Sequence, residues 1–587
     1  MTGSTPSNTH MNGNLHRAPN GGRAGSVTPV ALPPGTDAAT FNEYAKRAVA
    51  IVGEENVTIV IDAAEVHKHD YFNPSKASDM FNMCDDTHFL CSAVVAPRGV
   101  EDTQALLKLA NEFSIPVWPF SIGRNLGYGG AAPRVRGSVG LDMGRHLNKI
   151  IKVDVENAYA IVEPGVTYFE LHQYLVDNNL RDRVWLDTPG LGGGSVLGNA
   201  IERGVGYTPY GDHWMMHCGM EVILPNGELL RTGMGALPNP KADTTKPLHE
   251  QEPNECWQLF NYGFGPYNDG IFSQASLGVC VKMGMWLMTN PGGYQSYIIT
   301  FPKDSDVDKT VEIIRPLRVG GILQNVPTLR HILLDAAVMG SKKDYFPDKP
   351  VDQPLTDDEL DQLATKHGLG RWNFYGAVYG APPIAEAMLT AIKAAFSKIP
   401  GSKFFLPEDM PNNEVAQTRH NTLQGIPSTD ELAWVDWLPN GAHVAFSPIA
   451  PVTGKDAAAQ YATTRRLVEK YGFDFIGTYI IGMREMHHIV EVVFDRADPD
   501  SRRRAHLCVK EMIVEAANHG WGEYRTHLAI MDDVVSTYNF NNHVNLRLNE
   551  QIKDALDPKG ILAPGKNGIW PRSYRADMAR WKVPSPN

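Results

Sequence analysis

No run of apolar residues in this chain is long enough to cross a bilayer, and no two cysteines stand at the C-x-x-C spacing of a zinc ribbon or a redox dithiol. The six cysteines, Cys84, Cys91, Cys218, Cys256, Cys280 and Cys508, are few and scattered for 587 residues, which argues against a disulfide-stapled fold and for a reducing compartment. Basic residues are also in short supply. With 54 Lys and Arg against 66 Asp and Glu, a net charge of −12 gives nucleic acid or an anionic membrane no general basic surface to hold. The opening MTGSTPSNTHMNGNLHRAPNGGRAGS lacks the apolar centre of a secretory signal and reads as a disordered leader over residues 1–25. The final Ser585-Pro586-Asn587 is not a peroxisomal S-K-L type address, so the expected location is cytoplasmic.

What is present is an ordinary globular composition, 43% hydrophobic, in a chain longer than one core supports, so two or more domains are expected. Helical spacing from Asp37 to Val52 is followed by short β-rich runs alternating with helical stretches: VTIVI (57–61), SAVVAP (92–97), EDTQALLKLANEF (101–113) and AYAIVEPGV (158–166). This is an α+β pattern. The proline- and charge-rich LPNPKADTTKPLHEQEPNE (237–255) interrupts it as a long surface loop available to a partner subunit. Near Gly292 the texture changes. YQSYIITFP reads as a strand, and Thr356 with Glu359 forms a capping box ahead of a helix stopped by glycine. A helix over 456–472 and a strand run over 474–482 follow, and Arg502-Arg503-Arg504 reads as a solvated helix face.

Several enzyme signatures nearly fit and fail. Gly127-Tyr128-Gly129-Gly130-Ala131-Ala132 satisfies G-x-G-x-x-A, but Pro133 prevents the helix that a Rossmann turn needs. Gly560 to Lys566 has Walker spacing, yet Asn567 replaces the magnesium-binding hydroxyl residue. His213 and His217 have the spacing of a zinc helix without its glutamate or a third ligand, so they read as core or hydrogen-bonding histidines and no metal is expected. Ser195 lacks the last glycine of a nucleophile elbow.

The stretch SIGRNLGYGG (121–130) then stands out: four glycines and Arg124 directly after an apolar run. Such a segment is either a tight loop or a cradle whose converging N–H groups and guanidinium hold an anion. A second glycine loop, TPGLGGGSVLGN (188–199), lies about seventy residues on and leads into IERGVGYTPYGDHWMMH. Together with RWNFYGAVYG, WVDWLPNGAH, IGMREMHHIV and GWGEYRTHLAIMD, these segments resemble the vanillyl-alcohol oxidase and p-cresol methylhydroxylase flavoprotein family from about Leu32 to Trp570.

The resemblance implies an α+β, two-domain, p-cresol methylhydroxylase-type fold: an FAD-binding domain over 26–291 and 521–587 around a cap, or substrate, domain at 292–520. It implies FAD as cofactor, with Ser121, Ile122, Gly123, Arg124 and Asn125 at the pyrophosphate and Gly192, Gly193, Ser195, Gly198 and Asn199 along the other side. Tyr128, Tyr524 and Arg525 match the family's phenol-binding trio and Tyr207 a further active-site tyrosine. Gly190, Ala445 and Thr478 fall at substrate-pocket positions, and His443 stands where oxidases of the family carry a covalent bond to FAD. The implied reaction is hydride transfer from a para-substituted phenol to flavin through a p-quinone methide, with dioxygen reduced to hydrogen peroxide. A small phenolic substrate and a homo-oligomer, octamer or dimer, are the expected partners.

Three positions depart from the family pattern. Phe81 occupies the place of the histidine that assists flavin attachment, with Asn82 and His88 as possible substitutes. Gly190 replaces an aspartate beside the flavin, and Asp187, three residues away, is the nearest alternative in sequence. Ala445 replaces a phenylalanine and enlarges the pocket. Three functions therefore stand open: an oxidase of 4-hydroxybenzyl alcohols and 4-alkylphenols, a flavin-binding homologue with impaired turnover, and a dehydrogenase serving a cytochrome.

Overall fold

Asp37 starts the first helix, Ala38–Val52, by accepting the Thr40 amide at 2.8 Å. The helix buries Phe41, Tyr44, Ala45 and Ala48 in a core shared with Leu106, Leu107 and Ala110 of helix Val100–Phe113. In the computed structural model, which describes residues 28–61 and 88–584, these helices cover a four-stranded sheet. Ala93–Val95, Val139–Asp142 and Val117–Phe120 run parallel in it, and Val57–Ile59 pairs antiparallel at its edge. Burial on both faces explains why SAVVAP is a continuous apolar run without alternation. The leader, Phe81 and Asn82 lie outside the described residues.

An antiparallel five-stranded sheet follows, with Val279–Trp286 at its centre between Tyr159–Val162 and His217–Ile223. The far end of the chain returns to the first sheet. The amide of Val117 donates to Ile561 O at 2.7 Å and that of Ala563 to Val117 O at 2.8 Å. This return is fixed by a buried ion pair, Lys553 with Asp557 at 2.8 Å, both fully shielded from solvent. Asp557 also accepts the amides of Ile561 and Leu562, and Lys553 donates to the carbonyls of Ser276 and Leu562.

The largest sheet has nine strands, all between Tyr294 and Glu523. Thr356 and Glu359 close the expected capping box on helix Asp357–His367, and Gly368 ends it at φ 65°. The alternation of strand Glu485–Asp495 divides the sheet's two faces. Val490, Val492 and Phe494 enter the main core with helix residues Val307, Val311, Val509 and Met512, while His487, Ile489, Glu491 and Val493 point the other way. Register places Ala445 opposite Glu491, His443 opposite Val493 and Thr478 opposite Ile489, so these residues share that second face. The 237–255 insert is largely exposed, with Leu237 and Leu248 turned outward.

Breaking a buried pair from one side leaves an uncompensated charge. Asp557→Ala is therefore expected to cost about 3–5 kcal/mol in urea unfolding followed by tryptophan fluorescence. Lys553→Met combined with Asp557→Asn, which removes both charges, is expected to recover most of the loss. Equal destabilisation by the two proteins would reject the ion pair as the cause.

Candidate active site

The carboxyl end of strand Val117–Phe120 runs straight into the glycine loop, where Gly123, Gly127, Gly129 and Gly130 all have positive φ. The second loop crosses it at close range. Arg124 Nη1 donates to Gly193 O at 3.2 Å, and a Cβ at Gly198 would meet Ser121 Oγ at 2.5 Å. Gly192 holds the second loop to the 428 segment by donating to Ser428 O at 2.8 Å. Ser195 is a structural cap: its hydroxyl accepts the Gly198 amide and donates to Pro164 O. Between the loops lies an elongated cavity lined by Ser121, Ile122, Gly123, Arg124 and Asn125 on one side and Ser195, Gly198 and Asn199 on the other, and Tyr128 and Arg525 line it as well.

Tyr128 and Arg525 come from loops 397 positions apart. Arg525 Nη2 donates to Tyr128 Oη at 3.2 Å, its guanidinium lies 4.2 Å over the Tyr128 ring and 5.8 Å from the Tyr524 ring. The loops are joined by the Leu528 amide, which donates to Tyr128 O. Burial pushes both tyrosine hydroxyls well above their ordinary range, and the two tyrosines hold Arg525 fully protonated. Among the described residues no carboxylate lies within ion-pair distance of Arg525. Its Nε and Tyr524 Oη are buried without a protein partner.

The sheet face beneath contributes His443, Ala445, Thr478, His487 and Glu491. His443 stacks edge-on against Trp434 at 4.7 Å, and Gly127 lets its ring approach, since a Cβ there would meet Nε2 at 2.3 Å. Burial lowers its pKa to about 3, which keeps the imidazole neutral, and Nδ1 has no partner. Thr478 gives its hydroxyl to Leu329 O. His487 meets the Tyr524 ring edge-on at 4.8 Å and is also held neutral by burial. Two buried carboxyl groups were not anticipated from the sequence. Burial pushes Glu491, whose Oε2 is unpartnered, up to about 7, and raises Glu523, which accepts the Ser447 amide through Oε2. A lone glutamate inside HHIVEVVFD was the available signal for the first.

The glycine at 190 opens onto a third carboxylate. A Cβ there would sit 3.2 Å from both Glu431 Oε2 and Tyr207 Oη. Glu431 is buried and clamped by Arg419 through two hydrogen bonds, 2.7 and 2.6 Å, with Arg330 at 3.3 Å. Arg419 in turn lies 4.3 Å over the Tyr207 ring. Asp187 is committed elsewhere: its Oδ2 is 2.5 Å from His213 Nε2 and its Oδ1 accepts the Thr208 amide. His213 Nδ1 reaches Asn199 at 2.6 Å, so this histidine braces the second glycine loop, and His217 pairs with Asp269 at 3.1 Å. His88 packs edge-on against Phe89.

The open glycine loops, the Arg525 cation lining the cavity and its unpartnered Nε fit a cofactor that carries phosphate and polar ring atoms, as a dinucleotide does. Comparison with known sequences agrees. Residues 91–233 match the FAD binding domain family, and residues 377–567 match the C-terminal domain of FAD linked oxidases. The flavoprotein subunit of 4-cresol dehydrogenase [hydroxylating] from Pseudomonas putida is 34% identical over 92% of this chain and 97% of its own. Among solved structures, 4-ethylphenol oxidase from Gulosibacter chungangensis superposes with a TM-score of 0.86 at 38% identity, covering 93% of this chain and all of that one. p-Cresol methylhydroxylase superposes with a TM-score of 0.85 at 34% identity, covering 92% and 99%. With both halves matched and the likeness running nearly end to end, this FAD-linked oxidoreductase belongs to the vanillyl-alcohol oxidase and p-cresol methylhydroxylase flavoprotein family.

Proposed function

We propose that this protein oxidises 4-alkylphenols, and 4-hydroxybenzyl alcohols such as vanillyl alcohol beside them, passing the electrons to dioxygen to form hydrogen peroxide. The observation that carries the reading is Arg525: a buried guanidinium bonded to a tyrosine hydroxyl, with no carboxylate partner among the described residues. Such a group calls for an anion supplied by the ligand. A phenol has a pKa near about 10, so presenting it as phenolate at pH 7 requires about 4 kcal/mol of stabilisation. A guanidinium and two neutral tyrosine hydroxyls, at roughly 1.5–3 kcal/mol for each hydrogen bond to a charge, supply that amount.

Flavin, when bound, accepts the hydride. The chain's residues prepare the donor. Tyr128, Tyr524 and Arg525 hold the phenolate oxygen, whose charge pushes through the ring and loosens a benzylic C–H bond, leaving a p-quinone methide. Its fate depends on a base for water. Glu431 is committed to Arg419 and Arg330, and Asp187 to His213. The site therefore favours loss of a second proton to give the alkene over hydration to the alcohol. The relatives divide on the acceptor, one named an oxidase and one a dehydrogenase subunit. The cytochrome-linked alternative rests on the second. The octamer or dimer expected from the 237–255 insert remains part of this reading, with Leu237 and Leu248 on its surface.

Anaerobic mixing with 4-ethylphenol or vanillyl alcohol is expected to bleach the flavin absorbance, and air to restore it. A flavin that stays oxidised across a panel of para-substituted phenols would identify an impaired homologue, and reoxidation only by a cytochrome would identify the dehydrogenase. Arg525→Lys, which loses the planar fork, should lower kcat/KM about 10²- to 10³-fold. Gly190→Asp would set a second carboxylate beside Glu431 and Tyr207, available as a base for water. With 4-ethylphenol it should increase the ratio of alcohol to vinylphenol, and an unchanged ratio would reject the account of water activation. Light scattering is expected to show an assembly larger than one chain, and a monomer would remove the self-association.

A further inference from the structure

His443 and Glu491 lie on the same face of the nine-stranded sheet, on neighbouring strands, with His443 Nε2 at 4.0 Å from Glu491 Oε2. Each brings an unsatisfied polar atom to this contact's surroundings. Glu491 Oε2 and His443 Nδ1 are both buried without a hydrogen-bond partner. The ring is wedged between Trp434 and the bare backbone of Gly127, so it has little freedom to turn away. An unpartnered carboxyl beside an unpartnered, neutral imidazole costs stability, because both groups have been taken out of water without compensation. The pair is therefore left with polar capacity for a group from outside, and Arg525, which lines the cavity, acts on the Glu491 carboxyl.

We propose that Glu491 positions and deprotonates His443 for covalent attachment of FAD, taking the role left open by Phe81. The carboxylate takes the Nε2 proton, and the ring's electron pair forms a C–N bond to the flavin's 8-methyl carbon. That carbon gives up one C–H proton, two electrons pass to the flavin ring, and dioxygen removes them as hydrogen peroxide. One imidazole N–H, one C–H and one molecule of dioxygen thus become one C–N bond and one hydrogen peroxide. Glu491 suits the task because burial and the nearby Arg525 oppose each other on its carboxyl, so it both takes and gives a proton near neutral pH. The proposal rests on FAD as cofactor and on His443 as the attachment point, and is independent of the phenol and of the electron acceptor in turnover.

The test compares flavin bound to the native protein with flavin retained after acid denaturation, read by intact mass and in-gel fluorescence. After aerobic incubation with FAD the unsubstituted chain is expected to retain one flavin, while His443→Ala binds flavin natively and retains none. Glu491→Gln should bind flavin natively yet retain it at least tenfold more slowly, and Glu491→Asp should attach at an intermediate rate. A merely structural role for Glu491 would lower native binding and retention together, leaving their ratio unchanged, and that result overturns the proposal. So does attachment in Glu491→Gln at the original rate, or complete release of flavin from the unsubstituted chain by acid. If Glu491→Gln fails to load flavin, the rate for Glu491→Asp decides: a slowed rate supports the proposal and an equal rate overturns it. None of these readouts uses phenol, so a failure of the substrate reading leaves them intact.

Discussion

A guanidinium buried among aromatic rings, with no carboxylate within ion-pair distance among the described residues, is the constraint around which this molecule is arranged. Isolated charge in a protein interior is costly, and the fold offsets that cost with neutral hydroxyls and ring faces in place of a carboxylate. Tyr128 from the first glycine loop and Arg525 from the far end of the chain meet only because two separate segments are joined there, the Leu528 amide bonding to Tyr128 O. The Lys553 and Asp557 pair performs the matching task at the rear, fixing the returning strand beside Val117. A shift in either junction would separate the cation from its tyrosine.

The carboxyl groups around the site keep that cation available. Glu431 is neutralised by Arg419 and Arg330, and Asp187 is spent on His213 and Thr208. Burial raises the Glu523 carboxyl well above its usual range and pushes that of Glu491 up to about 7. Among the described residues no carboxylate therefore stands within ion-pair distance of Arg525. The same arrangement explains how position 190 tolerates a glycine: a carboxylate already faces that backbone from Glu431, and the space left is barely sufficient for a Cβ. What changes is the carboxylate's partners, since Glu431 is clamped by two arginines.

Much of the local architecture was legible in the residues. Asp37 and the Thr356/Glu359 box cap helices as their spacing indicates, and SAVVAP and YQSYIITF are strands as their β-branched and aromatic content indicates. The rejected motifs are explained in the same local terms, with Ser195 a helix cap and His213 and His217 paired to aspartates. Glu431 and Glu491 were not legible as site residues. Nothing within a few positions of Glu431 marks it, because its partners Arg419, Arg330 and Gly190 come from three different segments.

By itself, then, the sequence determined where the backbone must be bare, where helices begin and stop, and that the chain belongs with FAD-linked oxidoreductases. The first two depend on backbone torsions and on neighbours a few residues apart. Only the tertiary structure decided which carboxylates stand beside His443 and Gly190 and which cations hold them. Register in the nine-stranded sheet set Glu491 beside Ala445 and within reach of His443, and the crossing of distant loops set Glu431 against Gly190. A titrating group's chemistry follows from its burial and its partners, and both are fixed by contacts between segments distant in sequence.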